Sequence, residues 1–191
     1  MARESFYNEI AYIGLGGNLG NTRETFIKAI EMIDSGLGAV KNVSLFYRTR
    51  PLILPNVTEV QPEYLNAVIA ISTCIEPEEL VVALLEIEKV LGRDPQSQGR
   101  WSSRVIDLDL ILYGNRIIDS PVCTVPHPEM YRRDFVLVPL VEMNPDICHP
   151  VFKRTVREFL DEYKKLKNEE TIIEPLNFCY LMEDKNNLNF G

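Results

Sequence analysis

A short apolar segment with two embedded aspartates, residues 105–113 (VIDLDLILY), most constrains the fold of this chain. Its β-branched and aliphatic residues favour a strand, and strand side chains alternate between the two faces of a sheet. Asp107 and Asp109 are therefore predicted to share one face, about 6.6 Å apart. Their carboxylates could converge on one or two hard cations, which prefer oxygen ligands. The intervening aliphatic residues are predicted to pack under helices on the other face: Ile106, Leu108, Leu110 and Leu112.

The segment before this strand, residues 92–104, is rich in arginine and contains the sole tryptophan of the chain. Glycine and proline interrupt regular structure in it, which predicts a loop. Cations beside a pair of carboxylates indicate that an anionic ligand is held between them. The alternative is that the arginines only neutralise the aspartates, because an Asp-Leu-Asp motif alone has a high false-positive rate. The residues concerned are Arg93, Arg100, Trp101 and Arg104.

The order of predicted elements indicates the fold class. A strand at 10–15 precedes a helix capped by Asn21 or Thr22, and strands follow at 40–47 and 64–73. A second helix begins at Pro77 and is followed by the aspartate strand. The order matches the ferredoxin-like split βαβ plan, an α+β fold with an antiparallel sheet and helices packed on one face. The opposite face is then predicted to be free for ligands.

Additional C-terminal helices are predicted beyond this plan. Asp134 is a candidate cap for one helix, and Thr155 with Glu158 forms a capping box for the last. A short extra strand is predicted at 115–118, and the proline-containing stretch 48–63 is predicted to be a mobile lid. The glycine-rich segment 14–20 matches neither a dinucleotide-binding motif nor a P-loop, which favours a tight turn where the backbone passes close to another group.

Length and charge narrow the classes of protein. With 191 residues, the chain is predicted to form one domain at 1–167 with a tail at 168–191. The tail is poorly packed, pairs with a partner or begins a removed segment. A net charge of −8 argues against broad binding to nucleic acid or anionic membranes. No transmembrane-length apolar run or signal peptide is apparent, which predicts a cytoplasmic protein. The scattered cysteines are predicted to be buried thiols: Cys74, Cys123, Cys148 and Cys179.

A set of motifs in a fixed order gives this chain a family resemblance between about residues 11 and 163. The motifs are GGNL at 16–19, FYRT at 46–49, QPEYLNA at 61–67, GR at 92–93, RWSSRVIDLDL at 100–110, VPHP at 125–128 and RDFVL at 133–137. The chain resembles 6-hydroxymethyl-7,8-dihydropterin pyrophosphokinase, an enzyme of folate biosynthesis. The resemblance implies transfer of pyrophosphate from ATP to the hydroxymethyl group of the reduced pterin, with AMP as the other product.

The resemblance also implies a set of site residues. Asp107 and Asp109 are similar to the ligands of two Mg²⁺ ions, and Arg93 and Arg104 to arginines that engage phosphate, with Arg93 on a closing loop. The positions similar to ATP contacts are Glu88, Trp101, Leu110, Thr124, His127 and Arg133. The positions similar to pterin contacts are Tyr64 and Phe135, which stack on the ring, Asn66, which binds its edge, and Thr49 and Leu52. Taken alone, His127 is more often structural than catalytic.

Several positions depart from the family pattern, and they affect the expected loop behaviour and nucleotide affinity more than the reaction. They are Arg50, Pro95, Ser102 with Ser103, and Pro128. The resemblance implies ATP and a reduced pterin as partners, and fusion to dihydropteroate synthase or dihydroneopterin aldolase is a hypothesis for the tail. Two other classes stay open: a non-catalytic ferredoxin-like module that binds nucleotide or RNA, and a metal-dependent nucleotide hydrolase.

Overall fold

The computed structural model describes residues 8–51, 61–93, 103–166 and 172–176, and within them a six-stranded antiparallel sheet forms the centre of the fold. The strands are β1 (Glu9–Gly17), β2 (Ala39–Val43), β3 (Tyr47–Thr49), β4 (Tyr64–Thr73), β5 (Asp107–Tyr113) and β8 (Ile172–Pro175), with a separate hairpin of β6 (Ile118–Asp119) and β7 (Thr124–Val125). The helices are α1 (Thr22–Gly36), α2 (Pro77–Val90), α3 (Asp134–Met143) and α4 (Val156–Leu166), with a 3₁₀ turn at Met130–Arg132.

The sheet has the order β5-β1-β4-β3-β8, and β2 pairs with β4 beyond the end of β3. The first seven elements of regular structure, from β1 to β5, therefore follow the predicted split βαβ plan, with the predicted strand 40–47 divided into β2 and β3. The α+β, ferredoxin-like prediction is confirmed, with the additional C-terminal helices also present.

The first hydrophobic core lies between α1, α2 and one face of the sheet. Asn21 caps α1 by accepting a hydrogen bond from the Glu24 backbone N–H, and Pro77 occupies the first turn of α2, where its missing N–H costs nothing. Alternate residues of β4 point into this core, as the period of a strand requires. The largest buried side chains here include Phe26, Ile30, Ile33, Leu80, Leu84, Ile13 and Ile69.

A second core on the opposite face corrects the prediction that this face is free. Helices α3 and α4 pack there against Val68, Ile111 and Leu112. The capping box predicted for α4 is present, since the Thr155 N–H donates to Glu158 Oε2 at 2.7 Å and the Glu158 N–H donates to Thr155 Oγ1 at 3.2 Å. Asp134, predicted as a cap, is instead the first residue of α3.

A β-bulge explains a wrong prediction in β5. Tyr12 of β1 faces Leu112 while the next residue, Ile13, faces Leu110, so Ile111 has no partner in the register. An extra residue reverses the alternation beyond it. Leu112 therefore packs in the second core, not with Ile106, Leu108 and Leu110 in the first.

The glycine-rich segment also differs from its prediction. Gly14, Gly16 and Gly17 lie within β1 and not in a turn, while Gly20 adopts φ +68 just before α1. The predicted close approach does exist at Gly17, where a Cβ would come within 2.6 Å of the Val105 carbonyl oxygen. Any larger residue at Gly17 would clash with the Val105 carbonyl, so glycine is required there.

Other predictions are revised or fall partly outside the described residues. Residues 52–60 of the predicted lid lie outside them, and the extra strand lies at β6, not at 115–118. Cys123 is a buried free thiol, but Cys74 and Cys148 are exposed, so the prediction of burial is wrong for these two. Cys179 lies outside the described residues. No helix among the described residues is long and apolar enough to cross a membrane.

Candidate active site

Four strands place the candidate site residues in one row across the sheet. Asp107 of β5 faces Gly16 of β1, Gly16 faces Asn66 of β4, and Asn66 faces Tyr47 of β3. A Cβ at Gly16 would lie 3.3 Å from Asn66 Oδ1 and 3.9 Å from the Asp107 Cβ. The glycine therefore keeps the floor between Asp107 and Asn66 open, a role that the sequence interpretation of segment 14–20 missed.

Asp107 is held between two arginines. Its Oδ1 accepts from Arg93 Nη1 at 2.7 Å, and its Oδ2 accepts from Arg104 Nη1 at 2.7 Å. The Asp107 side chain is 25% exposed and those of the arginines are 23% and 20% exposed. Partial burial strengthens charge-assisted hydrogen bonds of this kind. The loop arginines and the strand aspartate predicted from sequence are thus brought together.

The buried Glu88 of α2 holds Arg93 and the start of β5 in place. Its side chain is buried, its Oε1 accepts from the Leu108 N–H at 2.6 Å, and its Oε2 pairs with Arg93. The Arg93 N–H also donates to the Glu88 carbonyl at 2.9 Å, just after Gly92 ends the helix with φ +97. Burial raises the pKa of Glu88 to about 7, opposed by the Leu108 N–H and the Arg93 charge.

The second aspartate is more open to solvent. The Asp109 side chain is 42% exposed, and its Oδ2 lies 3.9 Å from Arg133 Nη1. Although part of the side chain is exposed, the surrounding protein reduces the hydration of the carboxylate and thereby raises the pKa of Asp109, and the negative charge of Asp107 raises it further. A cation bound between the two carboxylates would relieve that repulsion.

Asn18 connects three segments at the end of β1, and sequence reasoning gave it no role. Its Oδ1 accepts from the Arg104 N–H at 2.8 Å, and its Nδ2 donates to Ser103 Oγ and to the Pro62 carbonyl, both at 3.3 Å. The Asn18 and Leu19 N–H groups both donate to the Arg104 carbonyl. Asn18 is 8% exposed. A lone amide side chain among glycines at the end of a strand was the available signal.

His127 lies beside the charged group on a fixed backbone. Its N–H donates to the Ile111 carbonyl at 2.9 Å, and its Nδ1 accepts from the Glu129 N–H at 3.1 Å. Burial, followed by the charge of Arg133, lowers the pKa of His127 to about 4. The neutral ring therefore carries its hydrogen on Nε2, where it can donate to an anion.

Of the residues assigned to the pterin by resemblance, Thr49, Tyr64 and Asn66 lie at the β3 and β4 side of the row. Asn66 Nδ2 donates to Thr49 Oγ1 at 2.8 Å, and both side chains are buried. Tyr64 OH donates to Gln61 Oε1 at 3.0 Å. Phe135, in the first turn of α3, packs at the edge of the second core under the Arg133 guanidinium, 5.8 Å from the ring centroid.

The remaining predicted residues are less closely associated with this row. Leu110 is buried in the first core, and Thr124 is exposed on β7, where its Oγ1 donates to Asp119 Oδ1 at 3.3 Å. Trp101, Leu52, Pro95 and Ser102 lie outside the described residues. Of the departures from the family pattern, Arg50 and Pro128 are exposed.

The aspartate pair fits a hard divalent cation. Within the described ranges, no group of three or more His, Cys, Asp or Glu side chains could hold a metal ion. Two carboxylate ligands on one face match Mg²⁺, which usually keeps several waters and takes its other ligands from substrate phosphates. Asp109, whose nearest cationic contact is long, is the more available of the two.

Comparison with known proteins gives one consistent family. Residues 12–145 match the profile of 7,8-dihydro-6-hydroxymethylpterin-pyrophosphokinase (HPPK). The 2-amino-4-hydroxy-6-hydroxymethyldihydropteridine pyrophosphokinase of Haemophilus influenzae is 37% identical over 161 residues, which cover 82% of this chain and 96% of the relative. The protein of the same name from Aquifex aeolicus is 33% identical over 151 residues, covering 79% of this chain and 90% of the relative.

Some similar proteins are longer than this chain. The folic acid synthesis protein fol1 of Pneumocystis carinii is 35% identical over 161 residues, 84% of this chain but 21% of the relative. A crystal structure of Plasmodium falciparum HPPK-DHPS with pterin and p-hydroxybenzoate has a TM-score of 0.67 at 16% identity. That match covers 89% of this chain and 46% of the Plasmodium chain, and it supports the fold.

Proposed function

The chain belongs to the 7,8-dihydro-6-hydroxymethylpterin-pyrophosphokinase family, and on that premise we propose that it transfers pyrophosphate from ATP to the hydroxymethyl group of 6-hydroxymethyl-7,8-dihydropterin. The hydroxymethyl oxygen bonds to the β-phosphorus of ATP, and the bond from that phosphorus to the oxygen bridging the α-phosphate breaks. AMP leaves with the bridging oxygen, and the hydroxyl proton is released. The products are AMP and the pterin diphosphate of folate biosynthesis.

The row across four strands is the observation that carries this proposal. Neighbouring strands lie about 4.8 Å apart, so Asp107 and Asn66, separated by the β1 strand, are about 10 Å apart. The phosphate-handling group of acids and arginines thus stands on one side of Gly16, and the amide proposed to bind the pterin edge on the other. A reaction that joins a phosphate chain to a flat heterocycle needs this juxtaposition.

The arginines have a direct part in the proposed reaction. Arg93 and Arg104 each engage Asp107 through Nη1, and the planar guanidinium group of arginine suits bidentate binding of phosphate oxygens. The neutral His127 offers an Nε2–H donor, and Arg133 adds positive charge near Asp109. These donors stabilise the charge that develops on the transferred and leaving oxygens, which is the main protein contribution in phosphoryl transfer.

Asp107 and Asp109 are the proposed ligands for two Mg²⁺ ions. When bound, such ions would neutralise phosphate charge and stabilise the attacking and leaving oxygens of an in-line displacement. The two carboxylates share one face of β5. Reduced hydration and then the negative charge of Asp107 raise the pKa of Asp109, and a cation between the carboxylates would offset both effects.

The substrate contacts complete the proposal. Tyr64 and Phe135 stack on the pterin ring, Asn66 binds its edge, and Thr49 and Leu52 contribute further pterin contacts. The proposed ATP contacts are Glu88, Trp101, Leu110, Thr124, His127 and Arg133. For Glu88, whose carboxylate is buried under Arg93, the contacts support an indirect role through that arginine. Association with dihydropteroate synthase or dihydroneopterin aldolase is also proposed, and the mass of the native gene product tests a fused form.

The diagnostic assay is release of AMP from ATP that depends on both the pterin and Mg²⁺. Asp107→Asn and Asp109→Asn should each lower kcat by about a thousandfold, because each removes a ligand that stabilises the transition state. Thr155→Ala is a matched control far from the row. Production of ADP, or ATP loss without any pterin, would instead support a nucleotide hydrolase that uses the same carboxylates.

A further inference from the structure

The strand β8 lies outside the residues that match the family profile, which end at 145, yet it is joined to the substrate side of the site. It pairs antiparallel with β3, with Arg48 facing Glu174 and Thr49 facing Ile172. The Leu176 N–H also donates to the Phe46 carbonyl at 2.7 Å. This edge strand therefore covers the outer side of β3.

β3 is too short to hold Thr49 firmly by itself. It has 3 residues and pairs with β4 on one side. Short strands held on one side open easily, and amides in them are among the first to lose protection. With β8 in place, β3 becomes an internal strand whose backbone is bonded on both sides. The Thr49 hydroxyl that accepts the Asn66 amide is thereby fixed.

A second contact joins β8 to the other wall of the proposed pterin site. The Ile172 N–H donates to Asp134 Oδ2 at 3.4 Å, and Asp134 Oδ1 accepts from the Phe135 N–H at 2.9 Å. Asp134 is 2% exposed. Ile172 thus lies opposite Thr49 on one side and bonds to the residue before Phe135 on the other.

We propose that β8, through Ile172, is a positioning element for the pterin, which ties the Thr49–Asn66 pair on β3 and β4 to the start of α3 that carries Phe135. The inference rests on the proposed function for the identity of the ligand. Neither Ile172 nor its neighbours need touch the substrate. They reduce the freedom of the amide and the ring that do, and such preorganisation improves binding without new contacts.

The test compares the full-length protein with its Ile172→Pro variant. Proline removes the N–H that bonds Asp134, but it leaves the pairing with β3 in place, because Ile172 is the first residue of an edge strand and its N–H points away from β3. The pterin KM is expected to rise about tenfold, the equivalent of losing one or two ordinary hydrogen bonds, while the ATP KM and kcat change by less than about twofold. In a second variant, Leu176→Pro, which loses the N–H bonded to the Phe46 carbonyl, the backbone amides of Tyr47–Thr49 are expected to exchange hydrogen faster and the pterin KM is expected to rise.

Glu174→Gln is the matched control within the same strand. It removes an exposed ion pair, in which the Arg48 and Glu174 side chains are 44% and 52% exposed, but keeps every backbone N–H of β8. Exposed pairs of this kind contribute little. The control should therefore leave both KM values and the exchange of β3 unchanged.

Three outcomes would overturn the inference. Faster exchange in β3 with an unchanged pterin KM would make β8 a cover for the sheet edge only. Unchanged exchange would show that β8 does not hold β3. If Ile172→Pro fails to fold, the milder Leu176→Pro, which removes only the terminal bond to Phe46, is used alone. Equal losses in kcat and in both KM values would indicate that β8 is a general structural strand. Absence of pterin-dependent AMP in the unaltered protein would contradict the proposed function, whereas the exchange comparison still tests the strand.

Discussion

Replacing Glu88 with glutamine should separate the stability of this protein from its activity. The buried carboxylate accepts from the Leu108 N–H and pairs with Arg93, while the charge of Asp107 lies near enough to oppose its ionisation. Burial is the largest of these influences, and the pKa of Glu88 is raised from 4.5 to about 7. The folded protein therefore favours the protonated form of Glu88 compared with the unfolded chain.

The sign of the pH effect follows from that direction. Because the folded pKa exceeds the unfolded one, the stability due to this group is fully present below pH 4.5 and is lost as the pH rises through about 7. The corresponding free energy is roughly 3 kcal/mol. Glutamine keeps an acceptor for the Leu108 N–H but does not titrate, so Glu88→Gln should gain stability relative to the unaltered protein by about this amount between pH 4.5 and pH 8.

The assay is denaturant unfolding of both proteins across that pH range, without nucleotide or Mg²⁺. The quantity compared is the difference between their free energies of unfolding at each pH. Glu86→Gln, on the exposed side of the same helix and paired with Lys89, is the matched control. At pH 8 the Glu88 variant should also lose about ten- to a hundredfold in kcat, because Arg93 loses an anchor and small misplacements are costly. A difference in stability that stays constant with pH would refute the reasoning.

Two further substitutions test separate parts of the structure. Gly16→Ala places a Cβ 3.3 Å from Asn66 Oδ1 and should raise the pterin KM several-fold. The free energy of unfolding should change by no more than about 1 kcal/mol. Gly36→Ala, where nothing lies within 4 Å of the added Cβ, is the control for both the kinetics and the unfolding. Thr155→Ala removes the capping box of α4 and should cost about 1 kcal/mol in thermal unfolding with kcat unchanged, so a parallel fall in kcat would contradict the separation of α4 from the site.

Much of the framework could be predicted because periodic patterns decide it. The bounds of β4, Tyr64–Thr73, agree with the predicted strand, and its two faces divide between the two cores as the alternation requires. Asp107 and Asp109 share a face for the same reason. The approach of Arg93 and Arg104 to Asp107 was predicted only in outline, since it depends on where the loop folds back.

The errors arise where a long-range contact overrides the local pattern. Nothing in the sequence of β5 marks Ile111 as a bulge, because the extra residue is defined by its pairing with β1. β8 pairs with a strand more than a hundred residues earlier in the chain, and its four residues have too little pattern to indicate this. Glu88 was assigned to ATP by resemblance, but its burial could also have been predicted, since a charged residue beside Ile87 on the apolar stripe of α2 requires buried partners.

The row through Gly16 also limits how this protein can vary. The distance from Asp107 to Asn66 is set by the backbone pairing of three strands. It therefore fixes how far apart the phosphate chain and the pterin ring can be bound. Among the positions that depart from the family pattern, Arg50, Ser103 and Pro128 are described by the structure, and none of them belongs to this row. Changes at these positions can alter how long a substrate stays bound, whereas the distance from Asp107 to Asn66 changes only if the pairing of β5, β1 and β4 changes.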